Sequence, residues 1–298
     1  MTRRFPLLQV DAFTRTPLEG NPCAVVLDAD TLSPAEMQAI AREMNLSETA
    51  FVLRSAQADV RARYFTPAEE IPLAGHPTLA TMQALLDTGR LALRGERMTV
   101  RLELNVGVIT VDIEPVPNEP PRIIMTQKPP QFLRVYDAAI ATAAFGLTPE
   151  DLVRGSVVQT VSTGTPQIML YVRDHAALLR ARLDPDRYLE LRATGDFFSP
   201  HLFAPGGITA EGRVFARHFG LPPDTGEDPF TGSATGGMAA YLYRHGYVRE
   251  TAFVVEQGHW MGRPGRGLAE LSGTPDAIES VRVSGQAVTV FEGELRLP

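Results

Sequence analysis

The chain has 298 residues, enough for two domains of ordinary size, and its 44% hydrophobic and 21% charged content is that of a soluble globular protein. A net charge of −7 spread along the chain argues against nucleic acid or an anionic membrane as partner. No run approaches the ~18 apolar residues of a membrane span, and the start, Met1-Thr2-Arg3-Arg4-Phe5-Pro6, lacks a signal-peptide core. Cytoplasm is therefore the expected location. The one cysteine, Cys23, excludes an intrachain disulfide, a Cys-rich metal site and catalysis by two cysteines of one chain. The six histidines form no HxxxH pair, so no metal is expected.

In chain order, residues 7–13 (LLQVDAF) read as a strand. A loop with Pro17 and Gly20 leads to a short buried strand at 23–27, where Cys23 reads as a small core residue. Ser33-Pro34-Ala35-Glu36 opens a helix, with serine at the N-cap, proline at the first helical position and glutamate completing a capping box. Asn45 to Thr49 closes that helix and enters a strand at 50–53. Residues 58–65 alternate as a strand, and a loop then delivers the chain to Ala74-Gly75-His76. The helix that follows, about 77–86, carries no charge, as expected of a buried helix. Strands are expected at 98–104 and 107–114, then a Pro-rich connector, 115–121, as the candidate boundary or crossover. At the far end, 287–291 and 294–297 alternate as closing strands.

The second half repeats signals of the first in the same order. Val161 to Leu170 echoes the Gly-x-Pro turn and strand at 19–26; Arg217-His218-Phe219 echoes Arg63-Tyr64-Phe65; Pro229 to Ser233 echoes Pro72 to His76. An internal duplication follows, with two α+β domains that each wrap a mixed sheet around one apolar helix. The boundaries are 1–121, completed by about 287–298, and 122–286. The two repeated turns, Ala74-Gly75-His76 and Gly226 to Gly237, each open a helix. Free backbone N–H groups and roughly half a positive charge at each terminus suit an anion. A carboxylate held between the two termini is the expected ligand, in a cleft between the domains.

The motifs VDAFT, GNPCAVV, NLSETAFV, LAGHPTLAT, VSTGTP, GEDPFTGSA and EQGHWMGRPG, in this order along most of the chain, resemble those of the PhzF family of phenazine biosynthesis-like isomerases. That resemblance implies the diaminopimelate epimerase fold, a homodimer and no cofactor. In the epimerases of this fold a cysteine precedes the glycine of each turn; here Ala74 and Thr231 stand there, so two-cysteine racemisation is unavailable. The resemblance assigns the acid/base role to Glu48, in Asn-Leu-Ser-Glu-Thr, and roles in binding or proton relay to His76 and Asp228. It places the substrate carboxylate against Gly75, Gly232, Ser233 and the Ala234 amide, and makes Asn21 a candidate lining residue. Of the neighbours Glu227 and Asp228, one side chain should face the cleft and the other point away. Arg263 reads as structural, while Phe230 and Thr235-Gly236-Gly237 are expected to shape the pocket.

Each of these residues also has a plain reading: Glu48 as a helix-terminal or solvent-facing glutamate, His76 as a capping or core histidine, Asp228 as an ordinary Asp-Pro turn residue. With the resemblance, the expected activity is a proton shift between carbons of a small carboxylic acid, cyclic or amino, by one glutamate. A non-catalytic ligand-binding or protein-interaction member of the fold is one alternative. A racemase, epimerase or dehydratase is another.

Overall fold

The computed structural model describes residues 2–222 and 224–298. Strands β1 (Arg3–Ala12), β2 (Asn21–Val26), β3 (Glu48–Leu53), β4 (Val60–Phe65), β5 (Glu70–Ile71), β6 (Met98–Leu104), β7 (Gly107–Val116) and β8 (Glu119–Gln127) lie in the first part of the chain, with helices α1 (Pro34–Met44) and α2 (Gly75–Asp87). Next come β9 (Gln131–Tyr136), α3 (Ala138–Ala143), β10 (Val158–Ser162), β11 (Pro166–Tyr171), α4 (His175–Arg180) and α5 (Pro185–Ala193). The chain continues through β12 (Ser199–Pro205), β13 (Gly212–Phe219), β14 (Glu227–Asp228), α6 (Gly232–Arg244), β15 (Ala252–Gln257), β16 (Gly265–Thr274), β17 (Ala277–Gly285) and β18 (Ala287–Leu297).

Local signals explain the entry into the site. At α1 the Ser33 hydroxyl accepts from the Glu36 amide and the Glu36 carboxylate accepts from the Ser33 amide, so two otherwise orphaned donors are satisfied. Asn45 ends the helix at φ 51°, the left-handed conformation that asparagine tolerates. The chain then turns into β3, whose first residue is Glu48.

The pairing scheme occurs twice. Within β1–β8, β1–β2, β3–β4, β4–β5, β6–β7 and β7–β8 pair antiparallel, while β2–β3 and β4–β6 pair parallel. Nine strands later the same relations recur as far as β16–β17. The last strand of each set crosses over: β9 pairs with β10, and β18 returns to β1. β8 and β17 join the two sets antiparallel. Side chains repeat as well. Arg63 holds Glu70 through two bonds of 2.7 Å, and Arg217 holds Glu227 at 2.8 and 2.7 Å, each tying a two-residue strand to its neighbour.

α2 packs on β1, β2, β3, β8 and β18, and α6 on β10, β11, β16 and β17. α2 is buried from Gly75 to Leu85, and α6 is buried from Ala234 to Tyr243, as the absence of charge along 77–86 implies for the first.

Two expectations are corrected. The Pro-rich segment 115–121 is no connector: it forms the tip and arms of the β7–β8 hairpin, with Val116 opposite Glu119 and Asn118 turning at φ 61°. The chain crosses from one set of strands to the other at 128–130. Phe230, expected to shape the pocket, is fully buried and stacks on Phe13 with ring centroids 4.1 Å apart. Gly232, Gly265, Gly267 and Gly285 make room for this stack, because a Cβ on any of them would come within 2.6–2.8 Å of a ring carbon. Thr235, Gly236 and Gly237 face inward too, with Gly236 against Gln127 and Gly237 against Met169.

Candidate active site

A cleft of about 890 Å³ opens beside the N-termini of α2 and α6. Its walls come from Ser47-Glu48, the loop 66–74, residues 164–167, α5 and the segments 196–199 and 218–222, with Asp224, Thr225, Asp228, Thr231 and Ser233. Glu48, Asp228 and Ser233 line it. Asn21, His76, Gly75, Gly232 and Ala234 lie immediately behind, buried.

The side chains of Asn21, Glu48, His76 and Asp228 converge from four separate segments. His76 Nε2 stands 3.1 Å from Glu48 Oε2. The Asn21 amide nitrogen lies 3.0 Å from His76 Nδ1, 2.7 Å from Asp228 Oδ1 and 2.9 Å from the Phe230 carbonyl. With Asn21 donating, His76 Nδ1 is an acceptor and its proton sits on Nε2, facing Glu48; this tautomer is assigned from the hydrogen-bond pattern. Glu48 Oε2 and His76 Nε2 are buried, and neither has an aligned hydrogen bond among the described residues. Thr231 donates to Asp228 Oδ2 at 2.5 Å, and Glu227 turns away to Arg217.

Burial dominates the electrostatics. It lifts the Glu48 carboxyl well above its ordinary 4.5, and the nearby charges of Asp228 and Asp224 add to the effect. Burial also raises Asp228, against hydrogen bonds from Thr231, Asn21 and Ser47 that favour its carboxylate. The same desolvation lowers His76 to about 3, so its imidazole is neutral at physiological pH. A carboxyl tuned upward beside a neutral imidazole is what proton transfer near neutrality requires.

The two helix N-termini touch rather than face each other across a gap. A Cβ on Gly75 would lie 3.0 Å from Gly232 Cα and 3.2 Å from the Ser233 amide nitrogen. No carboxylate fits between those glycines, contrary to the expected position of the ligand; Ser233, to one side, lines the cleft. Helix geometry leaves the first amides of both helices without intrahelical acceptors. On α2 these are the amides of the N-cap Ala74, Gly75 and His76, since Pro77 has no N–H.

Several supporting residues escaped the sequence reading. Gln257 donates to the Asp228 carbonyl at 2.7 Å and accepts from the Thr231 amide at 3.2 Å, so it fixes the acidic turn. Gln127 donates to the Gly232 carbonyl, and Gln167 reaches the Ser233 hydroxyl at 3.3 Å. Gln257 belongs to EQGHWMGRPG, yet nothing in a buried glutamine's spacing says which turn it braces. Arg263 in the same motif is structural: it pairs with buried Asp11 at 2.7 Å and donates to the Glu19 and Gly20 carbonyls. Cys23 is buried in β2, in register with Glu48.

Glu48, His76 and Asp228 each offer a ligand atom, and these atoms lie within 4.8 Å of one another. One imidazole and two carboxylates are a donor set that a divalent cation accepts. A search for paired histidines overlooks it because the donors come from three segments.

An α+β fold with a mixed sheet and a cleft lined by a carboxyl that burial raises has the features of an enzyme's active site. The PhzC-PhzF family model, described as phenazine biosynthesis-like protein, matches residues 10–293. The chain is 35% identical to an uncharacterized isomerase, YddE, of Salmonella typhimurium, covering 97% of each. It is also 35% identical to the trans-2,3-dihydro-3-hydroxyanthranilate isomerase of Pseudomonas aeruginosa, over 97% of this chain and 98% of that one. The solved structure of a Bacillus anthracis phenazine biosynthesis protein of the PhzF family superposes with a TM-score of 0.88 at 30% identity, covering 98% of this chain and 99% of the other. The chain belongs to the PhzF family of phenazine biosynthesis-like proteins. It is an isomerase.

Proposed function

We propose that the chain is a cofactor-independent isomerase that shifts a proton between carbons of a small carboxylic acid, with Glu48 as the single acid/base. The observation that carries this reading is the Glu48 carboxyl itself: it lines the cleft, is lifted by burial, and has an oxygen with no hydrogen bond of its own. Ionised Glu48 takes a proton from a substrate carbon. The electron pair left behind moves into a new double bond as the old one shifts, and protonated Glu48 returns the proton to a second carbon on the same face. Atoms and charge balance without an oxidant, a reductant or a second enzyme acid.

Asp228 accepts from a substrate amino or hydroxyl group. Ser233 and the leading amides of α6 hold the carboxylate, while Asn21 keeps His76 and Asp228 in place. The substrate named for the Pseudomonas aeruginosa relative, a dihydro-hydroxyanthranilate, has the polar groups that such a site would read, and a small cyclic amino acid of that type is the substrate class we propose. We also propose a homodimer acting in the cytoplasm, which sedimentation velocity and cell fractionation would examine.

The test is solvent-deuterium incorporation. Glu48→Gln keeps the shape but removes the base, and should cut exchange at the substrate carbon by about 10²–10⁴-fold with binding nearly unchanged. Exchange at the wild-type rate in that variant would sink the assignment.

A further inference from the structure

The cleft has a second polar feature that this mechanism leaves unused. His201 on β12, His218 on β13 and Asp228 on β14 are cross-strand partners in one row, His201 opposite His218 and His218 opposite Asp228. Side chains directly opposite in adjacent antiparallel strands share a face. The counterpart row among the earlier strands is Ala50, Tyr64 and Ile71, with Ala50 opposite Tyr64 and Tyr64 opposite Ile71. There Tyr64 is core, its hydroxyl 3.0 Å from the Thr78 hydroxyl. The same framework therefore stands without histidine or carboxylate at these places, and the two histidines need another reason.

Their geometry supplies one. His201 Nδ1 and His218 Nδ1 lie 3.2 Å apart, so one must donate and the other accept. His201 is fully buried and its Nε2 has no partner among the described residues. A proton on that nitrogen would be an orphaned buried N–H, which folded proteins rarely tolerate; a bare lone pair is the lesser cost. His201 therefore donates from Nδ1, and His218 accepts at Nδ1. The His218 proton then sits on Nε2, and His218 lines the cleft.

We propose that His218 is a substrate-recognition residue, presenting Nε2–H to the cleft in a tautomer set by His201 and donating to an acceptor oxygen beside the group that Asp228 reads. A donor and an acceptor on neighbouring strands select a substrate with adjacent acceptor and donor groups over a simple monocarboxylate. Burial keeps both imidazoles neutral: His218 falls to about 3, and His201 well below its usual range, with His218 as its second cause. The choice of substrate probe below rests on the proposed isomerase reading; the tautomer does not.

Long-range ¹H–¹⁵N spectra of the full-length protein labelled at histidine test the tautomer, with His201→Gln and His218→Gln assigning the signals. His218 should be neutral with its proton on Nε2, and His201 with its proton on Nδ1, from pH 5.5 to 8. The opposite pair of tautomers would overturn the proposal. Titration with 3-hydroxyanthranilate, an aromatic acid with the relevant polar groups, should perturb the His218 signal. His218→Leu should weaken its binding about tenfold or more, while His218→Gln, which keeps an N–H at similar reach, should stay within about threefold. Equal affinities for the Leu and Gln variants would refute the donor role. If Glu48→Gln still exchanged deuterium, the acid/base assignment would fail while the tautomer and affinity results stood.

Discussion

His76 Nε2 and Glu48 Oε2 meet at 3.1 Å without an aligned hydrogen bond, although both atoms are buried. Two desolvated groups that each lack a settled partner form a site held ready for a third. The contact also makes a prediction about stability. The Glu48 carboxyl titrates well above 4.5 in the folded protein. Its contribution is fully present below pH 4.5 and is lost as pH rises through the folded value, because the unfolded chain gives up this proton first. Glu48→Gln never ionises. Relative to wild type, the variant should gain stability as pH rises from 4.5, by about 1.4 kcal/mol per pH unit until the folded value is reached. Urea midpoints for the two proteins at pH 5, 6 and 7 read this directly, and a constant difference would show that Glu48 is not desolvated. Neutral His76 acts in the other direction in both proteins, losing stability as pH falls from 6.5 towards 3, and cancels in the comparison.

Asn21 gives a second prediction. Its amide nitrogen has two hydrogens and three acceptors within 3.0 Å, while its own Oδ1 has no partner among the described residues. Asn21→Asp would set a carboxyl against His76 Nδ1, Asp228 and the Phe230 carbonyl. That group would have to stay protonated or bury an unpaired charge. The expected result is loss of about 2–4 kcal/mol in denaturant titration at pH 7, partly recovered at pH 5. Asn21→Ala should fold better than Asn21→Asp at pH 7 yet lose activity, because His76 is no longer held in one tautomer. An Asn21→Asp variant as stable as wild type would remove Asn21 from the network.

Much of this arrangement was legible from residue order. The Ser33-Pro34-Ala35-Glu36 start and the uncharged helix after His76 both depend on local chemistry, and both stand in the fold. That Glu48, His76 and Asp228 belong to one cluster was legible because each sits in a motif whose neighbours are distinctive. Other features were not. The prolines of 115–121 read as a linker, but a hairpin whose arms have solvent on one side accommodates them. Phe230 reads as a pocket wall beside the acidic turn, and the glycines that β16 brings against it, with Phe13 stacked on its ring, make it core. His201 and His218 are separated by 17 residues, and strand register alone makes them partners. Closeness between segments is set by pairing, which single-residue chemistry does not encode.

The contact of the two helix starts gives a third prediction. Gly75→Ala would place a methyl 3.0 Å from Gly232 Cα, and Gly232→Ala would place one 2.7 Å from the Phe13 ring. Neither neighbour can retreat without moving a helix or the Phe13–Phe230 stack. Each variant should lose about 1–3 kcal/mol. Gly75→Ala, which shifts the leading amides proposed to hold the carboxylate, should also raise KM more than it lowers kcat. Thermal unfolding with steady-state kinetics separates these effects, and unchanged stability in both variants would mean that the helix starts are farther apart than described.

The last prediction separates side-chain proton transfer from metal chemistry at the same three residues. Glu48, His76 and Asp228 could hold a divalent cation only with both carboxyls ionised. Burial opposes that state for each of them, and Asn21 already occupies Asp228 Oδ1 and His76 Nδ1. Proton transfer needs one carboxylate at a time, and the neutral imidazole costs nothing further. Extensive dialysis against EDTA should therefore leave deuterium exchange within twofold of the untreated rate, and added Zn²⁺ or Mn²⁺ should inhibit by pinning Glu48 in its ionised form. If chelation abolished exchange and one divalent ion restored it, the triad would be a metal centre, and Glu48 would be a ligand rather than the base. Elemental analysis of the purified protein alongside the rate measurements distinguishes the two outcomes.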